Sequence, residues 1–324
     1  MVLGFNDLAK ITKGAIYTEE KNGYFIPYRY SKKQLEYMAR PEYDYGWRFR
    51  SKISGGIHFD FFTEGEYLSF DYIASHTHPR SNTVDLYIDG ELKQVYYIEN
   101  KRVGNVSFNL PRGNKRVSIF FPCECRLSVK NFTLDKDFLP TPKKEKRLLI
   151  IGDSITQGAG PRFSSAAYVN VLSRELDFEI LPQGVGGYRY EPQDLMKVDG
   201  FEPNAVTVFL GTNYYEASCL ERCHYDYKEA VCKFYGKLVQ MYKDIPIICV
   251  TPLWRNNNVD MERLLWCIET IKNEASGYEN IRVIDGFSLM PNADECLADG
   301  IHPNEYGSVF LAKNLSKHLK EVEI

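Results

Sequence analysis

From residue 147 onward the chain repeats one pattern, a short apolar run followed by a longer amphipathic stretch. The runs are LLII (148–151), FEIL (178–181), AVTVFL (205–210), IPIICV (245–250) and IRVID (281–285). Between them lie SAAYVNVLSREL (165–176), YKEAVCKFYGKLVQMY (227–242) and MERLLWCIETIKNEA (261–275). Runs too short for a helix, alternating with helical periods, predict βαβ units and a parallel sheet covered on both faces. In such sheets ligands sit beyond the carboxyl ends of the strands. Those ends are where chemistry is to be sought.

The first 135 or so residues follow another pattern. YLSFDYIAS (67–75) alternates apolar and polar residues, and RVSIFF (116–121) and RLSVKNFTL (126–134) read as further strands. TVDLYIDGELKQVYYI (83–98) is a hairpin: Asp89-Gly90 supplies the positive-φ turn, and Val84, Leu86 and Ile88 share a face. No long helical period interrupts them, so an antiparallel β-sandwich is expected, with a jelly roll as one form it can take. DKDFLPTPKKEK (135–146), with two prolines and a charge cluster, reads as a linker. The chain, 324 residues long, therefore divides into a sandwich domain, 1–140, and an α/β domain, 141–324.

A formal charge of −3 gives no reason to expect nucleic acid or an anionic membrane as partner. The N-terminus, MVLGFNDLAKITKG, lacks the basic-then-apolar pattern of an export signal, and no apolar run approaches the roughly 18 residues that span a bilayer. The cytoplasm is the expected location. On that reading the eight cysteines are reduced, mostly buried thiols. Cys123-Glu-Cys125 and Cys219-x3-Cys223 lack a second ligand pair at zinc-like spacing, so no metal is expected. The 23 Tyr, 19 Phe and 3 Trp suit sugar or acyl binding, but first of all they fill sandwich cores.

The strand ends deliver a set of polar residues. After the first run comes Gly152-Asp153-Ser154, after the second QGVGGYRY (183–190), and after the third Gly211-Thr212-Asn213. TPLWRNN (251–257) follows the fourth, and the fifth leads to DGIHPNEYG (299–307) at the start of the last helix. Each signal is weak alone, but their order and placement together are specific. An alcohol is a poor nucleophile near neutral pH unless a base lies within hydrogen-bond reach and is itself oriented. Of six histidines, His302 is the best placed for this, and Asp299, three residues earlier, can reach back to its Nδ1. Asp153 is expected to organise the turn.

Residues 147–320 resemble the SGNH, or GDSL-type, hydrolase superfamily, whose blocks contribute Ser, Gly, Asn and His. GDSIT matches the first block, GVGGYRY the second, GTN the third and D-x-x-H the last. The resemblance implies a three-layer, flavodoxin-like domain carrying a serine esterase, with Ser154, His302 and Asp299 as the triad. The oxyanion hole would be the Ser154 N–H, the Gly187 N–H (Gly186 being the other choice) and the Asn213 amide. No metal or organic cofactor is required.

Two positions depart from the pattern. Tyr214 stands where Asp often follows the third-block Asn, and Pro182-Gln183 where an Asn often opens the second. A β-rich half ahead of the hydrolase half is similar to the layout of family-2 carbohydrate esterases. It implies an O-acetyl esterase acting on a small acylated carbohydrate, with Trp254, Arg255 and Tyr214 as candidate substrate contacts. A lysophospholipase or thioesterase acting on longer acyl chains, and a non-catalytic glycan-binding protein, are the alternatives.

Structural roles compete at several positions. Ser154 suits the N-cap of the next helix, Asn304 the N-cap of the last, and Trp254 and Arg255 could pack against a helix with the Arg solvated. His76 and His78 in SHTHPR are expected on an exposed sandwich loop.

Overall fold

The computed structural model describes residues 1–41, 45–75, 82–98, 102–214, 226–257 and 259–322. His76, His78, Cys219 and Cys223 lie outside the described residues.

Five strands form the parallel sheet: Lys146–Gly152, Phe178–Gly184, Ala205–Phe209, Ile247–Val250 and Ile281–Ile284. In space they run second-first-third-fourth-fifth, the flavodoxin-like order, which reverses direction at the first strand. Successive side chains point to opposite faces. Leu148, Ile150, Ile180 and Ile248 pack with the helices Tyr168–Glu175 and Glu305–Glu321. Leu149, Ile151, Leu181 and Cys249 pack on the other face with Tyr227–Met241 and Met261–Ala275. The first four apolar runs are thus strands buried on both sides, while the fifth, at the sheet edge, exposes Arg282.

The N-terminal part is a sandwich of two antiparallel sheets. One takes Tyr24–Tyr28, Arg126–Leu134, Tyr67–Ser75 and Val103–Asn109 in that spatial order; the other takes His58–Thr63, Lys115–Phe120, Thr83–Ile88 and Glu91–Tyr97. Numbered along the chain, these eight strands give 1-8-3-6 over 2-7-4-5, the arrangement of a jelly roll. Asp89 and Gly90 both have positive φ (49° and 85°) at the expected hairpin turn. Phe59, Phe61, Phe70 and Phe132 fill the interior.

Two features differ from the sequence reading. Short helices, Phe5–Ile11, Lys32–Met38 and Tyr45–Arg50, interrupt the strands. The expected linker carries a strand, Phe138–Pro140, paired with Phe61–Thr63 at a sheet edge. The two halves also share a core. Ile26, Tyr28, Tyr30, Leu35, Met38 and Trp47 belong to the same core cluster as Leu149, Leu181 and Val185.

Candidate active site

The decapeptide IGDSITQGAG connects the first parallel strand to the nucleophile region, and its local geometry follows residue by residue. Gly152 leaves no Cβ where one would stand 2.0 Å from Thr156 Oγ1. Asp153, not Ser154, is the N-cap of the one-turn helix Ser154–Gln157, accepting the Ile155 N–H at 3.0 Å. Ser154 is the first helical residue, so its side chain is left for other work. Gly158 (φ 102°) ends the turn in the left-handed region. At Gly160 (φ +115°) a Cβ would lie 3.0 Å from His302 Cβ and 2.3 Å from Pro303 O, so glycine lets the histidine loop close over the serine.

That loop brings the third group. His302 Nε2 lies 2.8 Å from Ser154 Oγ, and Nδ1 lies 3.0 Å from both Asp299 carboxylate oxygens. A carboxylate only accepts, so Nδ1 carries the proton, Nε2 accepts, and the serine hydroxyl donates. Burial opposes ionisation of Asp299. The bond to His302 and the N–H groups of His302 and Ile301 outweigh it and hold the carboxyl well below the usual range. Asn304 caps the last helix, accepting from Tyr306 and Gly307 N–H, and its amide donates to Glu295 O at 2.7 Å. The cap and the histidine loop share one side chain.

Around Ser154 the donors sort themselves. The Gly186 N–H is taken by Gln157 Oε1 at 2.9 Å. Gly187 has φ +77°, and among the described residues neither its N–H nor that of Ser154 has a protein acceptor. Asn213 Nδ2 donates to Tyr188 O at 3.0 Å and, at a longer 3.3 Å, to Asp153 Oδ2. Burial pushes the Asp153 carboxyl up to about 6, against the pull of the Ile155 N–H, His302 and Arg255.

The other candidates are held by contacts within the protein. Tyr214 is 1% exposed, stacks on Tyr190 and donates to its carbonyl, so it is wall rather than contact surface. Arg255 is buried, not solvated, and its Nη1 donates to Thr212 O at 2.9 Å beside Asn213. Trp254 stacks on Phe287 with centroids 3.7 Å apart, and its Nε1 donates to the Phe287 carbonyl. Gln157, Arg29 and Arg50 touch the second-block loop and were missed by the sequence reading, Arg29 and Arg50 because nothing in the sequence marks them. Gln157 alone was within reach of sequence reasoning, three residues beyond Ser154 on one helical turn.

The GDSL-like lipase/acylhydrolase family matches residues 150–308. No curated protein matches the chain significantly. Among solved structures, a protein from Bacteroides ovatus described as a GDSL-like lipase superposes with a TM-score of 0.79 at 18% identity, covering 99% of this chain and 97% of that one. The salicylyl-acyltransferase SsfX3 of a tetracycline biosynthetic pathway gives 0.71 at 16%, covering 95% and 93%. A family two carbohydrate esterase from Clostridium thermocellum, in complex with cellohexaose, gives 0.62 at 15%, covering 82% and 91%. At these identities the likeness is one of fold, and it extends over both halves of the chain.

Proposed function

From the premise that residues 150–308 form a GDSL-like lipase/acylhydrolase domain, we propose that this chain is a serine esterase that removes short acyl groups, acetyl above all, from carbohydrates. The observation that carries the reading is the unbroken chain from Asp299 through His302 to Ser154 Oγ. Ser154 attacks the ester carbonyl while His302 Nε2 takes its proton, and Asp299 holds the tautomer and stabilises the imidazolium. The oxyanion is received by the Ser154 and Gly187 N–H groups and by Asn213 Nδ2, which exchanges its long bond to Asp153 for the developing charge. His302 returns the proton to the leaving alcohol, and water, activated by the same histidine, releases the acid from Ser154.

The carbohydrate assignment draws support from the two-domain layout shared with family two carbohydrate esterases. The domain boundary near residue 140 belongs to the same reading. The test is a series of p-nitrophenyl esters together with acetylated oligosaccharides followed by mass spectrometry. Preference for C2 and loss of acetate mass from the sugars are expected, with both abolished in Ser154→Ala at unchanged melting temperature. Preference for C8 or longer would replace the substrate class by a lipid or thioester. Wild-type turnover in Ser154→Ala would end the serine mechanism.

A further inference from the structure

Building on that reading of the site, we propose that Arg29 and Arg50, both contributed by the sandwich half, are positioning residues that lock the peptide carrying the Gly187 N–H. Among the described residues the strand Phe178–Gly184 is an edge of the parallel sheet and pairs only with Lys146–Gly152. An edge strand leaves alternate peptide groups facing away from its sheet. Pro182, which has no N–H to leave unpaired, suits such a position.

Arg29 covers that edge. Its Nη1 donates to Pro182 O at 3.0 Å and to Gly184 O at 2.7 Å, Nε donates to Ile53 O at 2.8 Å, and Nη2 reaches Arg50 O at 3.3 Å. The side chain is fully buried and all four acceptors are neutral carbonyls. Burying a guanidinium on such terms is costly. What the rigid fork does, and a single amide could not, is span two carbonyls of one strand while holding a third on the neighbouring helix end. Gln183, where the superfamily often has Asn nearby, completes the clamp: its Nε2 donates to Arg29 O at 3.0 Å, and its Oε1 accepts from Gln34.

Arg50, seated by Arg29 through its own carbonyl, then reaches the critical peptide. Its Nη1 donates to Gly186 O at 2.8 Å. That carbonyl and the Gly187 N–H belong to one planar trans peptide, so fixing the C=O fixes the N–H in the opposite direction. With glycine on both sides the plane is otherwise free to rotate by about 180°. A flip would turn the carbonyl toward the serine and abolish the donor. The space a Gly187 Cβ would fill is bounded by Arg50 Nη1 at 3.1 Å and Trp47 Nε1 at 3.8 Å, both from the same short helix. The sandwich half is therefore a working part of the hydrolase centre.

The experiment uses the full chain, with p-nitrophenyl acetate as substrate and a boronic acid as mimic of the tetrahedral species. Arg50→Ala is expected to lower kcat by about 10- to 100-fold and weaken the boronate by a similar factor, with KM within about three-fold and the melting temperature unchanged. Arg50→Lys, whose ammonium can reach one carbonyl, should recover part of kcat. Arg29→Lys should show the same kcat-specific loss, and if that variant does not fold the Arg50 pair decides alone. A kcat for Arg50→Ala within about two-fold of wild type, with boronate affinity retained, overturns the lock. Absence of ester turnover in the wild-type chain would overturn the esterase reading instead. The Gly187 amide resonance would then report on the lock by itself, shifting in Arg50→Ala if it holds and staying put if it does not.

Discussion

Asp299 Oδ1 accepts the backbone N–H groups of Ile301 and His302 in addition to facing the imidazole. An amide at this position keeps its carbonyl on those two donors, which turns its NH2 toward Nδ1 and forces the proton onto Nε2. Asp299→Asn is therefore expected to keep the loop and lower kcat by roughly 10³–10⁴-fold, as a wrong tautomer does in serine triads. A rate near wild type would leave a Ser–His pair working without its acid.

Asp153 is perturbed in the opposite direction, its carboxyl pushed up to about 6 by burial. Between about pH 4 and pH 6 the folded chain holds this proton and the unfolded chain does not. The contribution is present below pH 4 and is lost as pH rises through 6, on the order of 3 kcal/mol. Asp153→Asn keeps an N-cap acceptor for Ile155 and has nothing to titrate. Denaturant midpoints across pH should show the variant gaining on wild type by that amount from pH 4 to 7. A pH-independent difference would mean that the carboxyl titrates normally.

At the scale of elements, Asn304 joins a helix to a catalytic loop: its Oδ1 caps Glu305–Glu321 and its Nδ2 holds Glu295 O behind His302. Asn304→Ala should cost about 1 kcal/mol of stability for the lost cap, and Asn304→Asp less, since the cap oxygen survives. Both lose the Glu295 bond and should lower kcat together, which separates the loop's share from the helix's. Equal kcat in Asn304→Asp and wild type would show that the cap alone matters.

This helix was readable, as were the five parallel strands, because each buries a continuous or periodic apolar face long enough to register in sequence. Lys32–Met38 and Tyr45–Arg50 were not. At 7 and 6 residues they fall short of the two turns a period needs. Phe138–Pro140 read as linker because its proline and the charged residues flanking it mark an edge, and an edge strand is defined by its neighbour, not by its own composition. The serine, histidine and aspartate were legible from their positions after the apolar runs. Gly187 was preferred to Gly186 from the resemblance, but the physical reason, the Gly186 N–H being taken by Gln157 Oε1, lay outside any local pattern.

At the scale of the whole molecule, the two halves could be told apart in sequence but their union could not. Gln183 meets Gln34, Trp47 packs edge-on against Tyr188 at 5.0 Å, and Arg29 reaches Gly184, all across roughly 140 or more residues of chain. No local pattern encodes a contact at that separation. A linker of charged residues suggests independent domains, yet the core cluster that covers one face of the parallel sheet takes Tyr28, Tyr30, Leu35 and Met38 from the other half. Separating the halves would expose that apolar face and strip the Arg29 guanidinium of two of its carbonyls. Both costs fall on the same step, so the halves should unfold together. Calorimetry of the intact chain is expected to give one transition, with esterase activity lost within it. Residues 141–324 expressed alone should lack a cooperative transition and bind a hydrophobic dye. Two resolved transitions, or an active and cooperatively folded 141–324 fragment, would show that the hydrolase half carries its own stability and needs the sandwich for neither folding nor catalysis.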